Sequence, residues 1–160
     1  MRRMRGRAMW GAVLVLGAVT AVPAAASAAA EAPEADLSYH GYAVLDRGRM
    51  EVRLSPRNHG PGDVTDATVR LSWSAPLAAE PQSLPDRCAR TGERSVVCRT
   101  GPLAADAVAE RIALGVVLRD RPAEVTLEVD TVWAGGAVDR DRADDRQRVL
   151  VLDTGDAYAF

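Results

Sequence analysis

Along most of this chain apolar residues recur at every second position, a period that constrains the fold more than any other feature. Met50, Val52 and Leu54 alternate with Glu51 and Arg53, Val69, Leu71 and Trp73 alternate with Arg70 and Ser72, and Val125, Leu127 and Val129 alternate with Glu124, Glu128 and Asp130. Successive side chains of a strand point to opposite faces, so each run predicts a strand with one buried face. Leu37 and Tyr39 start an earlier strand, Ser95 to Arg99 supplies another, Val108, Ile112, Leu114 and Val116 continue the series, and Val149 to Leu152 closes it. Seven or eight strands are expected. Turn chemistry separates them at Asp46-Arg47-Gly48-Arg49, Asn58-His59-Gly60-Pro61-Gly62-Asp63, Arg119 to Pro122 and Gly135-Gly136. Helix competes in one place, Leu103 to Leu114, where Ala104 to Arg111 is rich in alanine; the smooth continuation through Ile112, Leu114 and Val116 favours strand. Strands at this spacing predict an all-β fold, a two-sheet antiparallel sandwich whose inner faces bury the apolar set. Trp73, on one face with Val69 and Leu71, is expected to anchor the core. Trp133 is ambiguous, because Val132 and Trp133 are adjacent and must face opposite sides.

The chain has 160 residues, room for one domain. Its N-terminus reads as a secretory leader: Arg2, Arg3, Arg5 and Arg7 precede an apolar run from Met9 to Val22, and Pro23 is followed by the small residues 24–30. The apolar run is shorter than the roughly 20 residues that span a bilayer. The competing reading is an uncleaved anchor over Trp10 to Val19. Residues 1–30 are therefore expected to be a signal peptide, 31–36 a short linker and 37–160 the sandwich domain, secreted or cell-wall associated, with no stable membrane insertion after leader cleavage. All 20 basic residues are arginine, and residues 31–160 hold 16 of them against 22 acids, a formal charge of −6. That balance disfavours an electrostatic nucleic-acid binder.

Cys88 and Cys98 lie ten residues apart in a chain expected to meet an oxidising compartment, so a disulfide is the expected state. Zinc is disfavoured, because the pair lacks CxxC spacing and only His40 and His59 could join it.

The order of short motifs resembles a family. Val52 to Asp63, with its Asn58-His59-Gly60-Pro61 turn, is similar to the strand and "N-x-G-P" turn of the "domain of unknown function 11" repeats of bacterial secreted and surface proteins. Leu84-Pro85, Cys88, Val96-Val97-Cys98 and Gly101 to Ala105 resemble that family's proline, paired cysteines and entry to the next strand, and Asp139 to Asp145 resembles its closing segment. Asp106 stands where the family often has glycine, Asp144-Asp145 replace an asparagine pair, and one unit replaces a tandem array. The resemblance implies an immunoglobulin-like module of structural or adhesive type with no family-wide catalytic residues. A weaker resemblance, through Leu127 to Gly136 and the terminal Ala157 to Phe160, is to secreted subtilisin inhibitor-like proteins, although those carry four cysteines and a reactive loop that this chain lacks.

Candidate chemistry is sparse. His59 sits in a Gly/Pro turn and His40 in the first strand, without a G-x-S-x-G elbow, so a surface histidine is expected at 59 rather than a catalytic base. Aromatic residues make up only 4% of the chain, which leaves little stacking platform for a carbohydrate. Asp139, Asp141, Asp144 and Asp145 could supply oxygen ligands to calcium. Their interleaving with Arg140, Arg142, Arg146 and Arg148, and the lack of a glycine turn and a late glutamate, favour a solvated loop of ion pairs instead. Neither enzyme activity nor a cofactor is expected. The expected function is that of a non-catalytic structural or interaction module with an unspecified protein or cell-envelope partner; the alternative is a secreted inhibitor of subtilisin-type proteases.

Overall fold

The structure, a computed structural model, describes residues 31–160; the expected leader lies outside the described residues. The described chain is all-β, without helix. Its strands are β1 (Glu34–Ala35), β2 (Leu37–Asp46), β3 (Arg49–Asn58), β4 (Thr68–Trp73), β5 (Cys88–Arg90), β6 (Ser95–Arg99), β7 (Ala107–Val108), β8 (Ile112–Val117), β9 (Glu124–Trp133), β10 (Val138–Asp139), β11 (Arg146–Leu152) and β12 (Ala157–Ala159). Twelve strands stand where seven or eight were expected, and five of them are only two or three residues long. A period of two cannot be read from so short a segment.

One five-stranded sheet runs in the order β12-β2-β3-β7, with β8 also paired to β3; a second runs β11-β9-β4-β6-β5. Pairing within both is antiparallel. The β2–β3 hairpin closes through Arg47 and Gly48, with φ of 50° and 77°, and registers Asp46 against Arg49. Two central residues at positive φ match the right-handed twist of the flanking strands.

The alternating faces meet in a main core. Leu45, Met50, Val52 and Leu54 from the first sheet pack with Val69, Leu71, Trp73, Val96, Leu127 and Val129 from the second. Trp73 is 2% exposed, and its indole N–H donates to Met50 Sδ at 3.0 Å. At about 25 cal/mol per Å² of apolar surface removed from water, such a core supplies most of the drive to fold.

Two expectations need correction. The series that began at Val108 is broken: Val108 is 59% exposed in β7, which pairs with Arg57 and Asn58, whereas β8 begins only at Ile112 and pairs with Arg49 to Leu54. Residues 31–36, expected as a linker, contain β1, which pairs in parallel with β10 through Glu34↔Val138 and Ala35↔Asp139. Ala35 and Leu37 join Val64, Ala67 and Leu103 in a second, smaller core at this end of the sheets.

Candidate functional site

The buried polar side chains Ser38, Asn58, Asp66, Thr100, Thr131 and Asp145 gather at the end of the sheets where β2 begins and β3 finishes. Asn58 organises it. Its Oδ1 accepts from the N–H of Gly60 at 2.9 Å and of Asp36 at 3.2 Å, and its Nδ2 donates to the Gly62 carbonyl at 2.8 Å. The turn after β3 and the chain before β2 are thereby tied to one amide. Gly60 completes the tie: a Cβ there would lie 2.6 Å from Ala35 Cα, so only glycine lets the turn approach β1. The sequence showed the turn but not this hub, whose signal is an amide residue at the inward-facing end of an alternating strand.

Around it, His59 Nε2 lies 3.1 Å from Ser38 Oγ. Ser38 is 1% exposed, so a substrate has no approach to its hydroxyl, and the pair ties the turn to β2. Tyr39 OH and Thr131 Oγ1 are 2.6 Å apart. Burial pushes the Tyr39 phenol up to about 12, opposed by the Thr131 bond and reinforced by the carboxylates of Asp145, Asp139 and Asp130.

Of the four aspartates weighed for calcium, Asp139 and Asp141 are engaged by backbone N–H groups. Asp139 accepts from Leu37 N–H with Oδ2 at 2.9 Å and from Asp141 N–H with Oδ1 at 3.1 Å, and Asp141 Oδ1 accepts from Ala143 N–H at 3.1 Å. These bonds shape a loop and pin β2. Asp145 is fully buried; Arg142 Nη2 stands 3.2 Å from its Oδ2 without hydrogen-bond alignment, and neither carboxylate oxygen has a hydrogen-bond donor among the described residues. Asp144 Oδ1 and Asp36 Oδ1 share that condition. Burial raises the Asp145 carboxyl above the ordinary range, with Arg142 opposing, and burial followed by Asp144 and Asp139 raises Asp36. Among the described residues no group of three or more His, Cys, Asp or Glu side chains is gathered to hold a metal ion.

Cys88 and Cys98 are bridged, directly opposite each other in the β5–β6 pair with Cα atoms 4.1 Å apart. Cys98 faces the main core and Cys88 packs against it. His40 is exposed on β2, and Trp133 ends β9 half in solvent.

A different surface collects charge. On the outer face of the second sheet, register aligns Arg146, Asp130 and Arg70 across β11, β9 and β4, with Arg148 and Glu128 in the row beside them. Arg146 Nε donates to Asp130 Oδ1 at 3.0 Å and Arg70 Nη2 to Asp130 Oδ2 at 2.9 Å, so one carboxylate holds two guanidinium groups. With Arg94, Ser72 and Ser95 these side chains line an open trough of about 810 Å³. Four arginines against two acids make it basic on an acidic protein. The rows become visible only when three strands separated in sequence are set in register. Comparison with protein-family models, curated proteins and solved structures found no match to this chain.

Proposed function

We propose that this chain is a secreted, non-catalytic interaction module built as an immunoglobulin-like sandwich, which presents the charged outer face of its second sheet to a partner at or beyond the cell surface. The observation that carries this reading is the row Arg146–Asp130–Arg70: a rigid double sheet fixes three charges in line, and held guanidinium forks can dock an acidic surface with little further ordering. The leader-like sequence of residues 1–30 and the Cys88–Cys98 bridge support an extracytoplasmic setting. Asp106 supports the likeness to the repeat family, since its φ of 50° lies in the left-handed region that favours glycine, the residue those repeats often carry there.

The test is binding of the purified protein to isolated cell-envelope fractions, beside an Arg70→Ser/Arg94→Ser variant and a titration against a subtilisin-type protease. Saturable binding that the variant loses at unchanged melting temperature is expected, with the protease unaffected. Stoichiometric inhibition of the protease would replace this reading with the inhibitor one.

A further inference from the structure

An unpaired strand edge is a template for another chain, and folded proteins ordinarily shorten it, cover it or charge it. In this molecule β5 and β12 are edges of only three residues. The longer β8 is covered along its C-terminal part by the 76–82 loop, which bonds Ala78 N–H to the Val117 carbonyl at 2.8 Å, Arg119 N–H to the Pro76 carbonyl at 2.8 Å and Val117 N–H to Gln82 Oε1 at 2.7 Å. The seven-residue β11 has β9 on one side and, among the described residues, no strand on the other.

The phase of the β9–β11 ladder fixes what that edge offers. Thr131 N–H donates to the Asp145 carbonyl, so the backbone groups of Gln147, Val149 and Val151 turn toward β9 and those of Arg146, Arg148 and Leu150 turn away from it. The same three residues carry their side chains on the outer face, Leu150 being 51% exposed. Beyond Leu152 the chain leaves for the first sheet, where Asp153 bridges to Leu45 and bounds the free segment.

We propose that the edge of β11 binds an extended acidic peptide segment by strand addition, with carboxylates at alternate positions paired to Arg146 and Arg148 and an apolar side chain over Leu150. Backbone bonds from the added strand would supply affinity and the alternate side chains specificity. Charge selects this occupant over a second copy of the chain, because antiparallel pairing of β11 with itself would set four guanidinium groups side by side, with the acids of each copy, Asp130 and Glu128, already paired to its own arginines. The assignment rests on the interaction-module reading and names the partner's chemistry.

The experiment measures binding of a labelled synthetic peptide of alternating glutamate and valine to the full chain by fluorescence anisotropy, against an alternating lysine and valine peptide. Leu150→Pro removes an outward N–H that the fold does not use, an edge position where proline is tolerated. Expected are saturable binding of the glutamate peptide, loss of at least about tenfold in affinity in Leu150→Pro at unchanged melting temperature, and reversal of preference toward the lysine peptide in Arg146→Glu/Arg148→Glu. Protection of the Arg148 and Leu150 amides from hydrogen exchange on binding would accompany this. The second variant decides the matter alone if Leu150→Pro fails to fold. Equal binding by both peptides, or no binding, overturns the assignment, and a dimer in sedimentation that Leu150→Pro dissolves assigns the edge to a second copy instead. If envelope fractions still bind through Arg70 and Arg94 when the peptide does not, the edge proposal has failed while the module reading stands.

Discussion

Where β2 turns into β3, the two sheets meet through Leu45, Met50, Trp73, Leu77 and Leu118, with the buried indole donating to a thioether inside this apolar cluster. At the opposite end a smaller apolar cluster, Ala35, Leu37, Val64, Ala67 and Leu103, lies beside six buried polar side chains. The first end is stabilised by area removed from water and is indifferent to the direction of any one contact. The second must route several connecting segments past one another, and their backbone groups need partners that strand ladders cannot supply. Asn58, Thr100 and Asp66 provide them: Thr100 Oγ1 accepts from Ala67 N–H at 2.9 Å and Asp66 Oδ1 from Gly101 N–H at 2.9 Å. Packing holds one end and directional bonds hold the other.

The sharpest way to break this contrast is to truncate each end in turn. Trp73→Ala should destabilise by about 3 to 5 kcal/mol, the usual range for emptying a buried aromatic site, and lower the denaturant midpoint of the whole domain. Reduction of the bridge, or Cys88→Ser, should cost about 2 to 4 kcal/mol by freeing the unfolded chain, with intact mass showing both thiols protected beforehand. Asn58→Ala should cost about 1 to 3 kcal/mol, because the Gly60 and Asp36 N–H groups lose their acceptor. Its signature is local: hydrogen exchange should speed at Ala35 and Asp36 and stay slow at Val52 and Leu71.

The smallest effect concerns protons. Asp145 and Asp36 are raised in the folded state above the ordinary 3.8, each chiefly by burial, so the folded protein binds protons more tightly than the unfolded chain. Their contribution to stability is fully present below 3.8 and is lost as pH rises through the raised folded values. Asp145→Asn should flatten the dependence of melting temperature on pH in that window, whereas a large-core variant such as Val69→Ala should lower the whole curve without changing its slope.

The same contrast explains what could be read from the sequence. Runs such as Met50-Glu51-Val52-Arg53-Leu54 alternate because one face is buried in a large core, and the structure places those strands and the inward Trp73 accordingly. At the polar end the determinants are single contacts between segments far apart in sequence. Nothing local marks Ala35 as the partner of a turn at Gly60, or Asp139 as the acceptor for Leu37. Val108 departs from the pattern for a related reason: it belongs to a two-residue strand in register with Arg57, and this places its side chain on the outer face.

The pinning of β2 by Asp139 also orders events in time. The Leu37 N–H and its acceptor are 102 residues apart, and among the described residues β1 pairs with β10 alone. Closing so long a loop costs entropy before any contact rewards it. The large core can begin from the β2–β3 hairpin, whereas the β1–β10 pair and the Leu37 bond wait for the chain to reach Asp139. A protein delivered N-terminus first would thus keep residues 34–37 unlocked until most of its length had arrived. In refolding, protection of the Val52 amide from hydrogen exchange should accordingly appear before that of the Leu37 amide; simultaneous protection would place both ends in a single step.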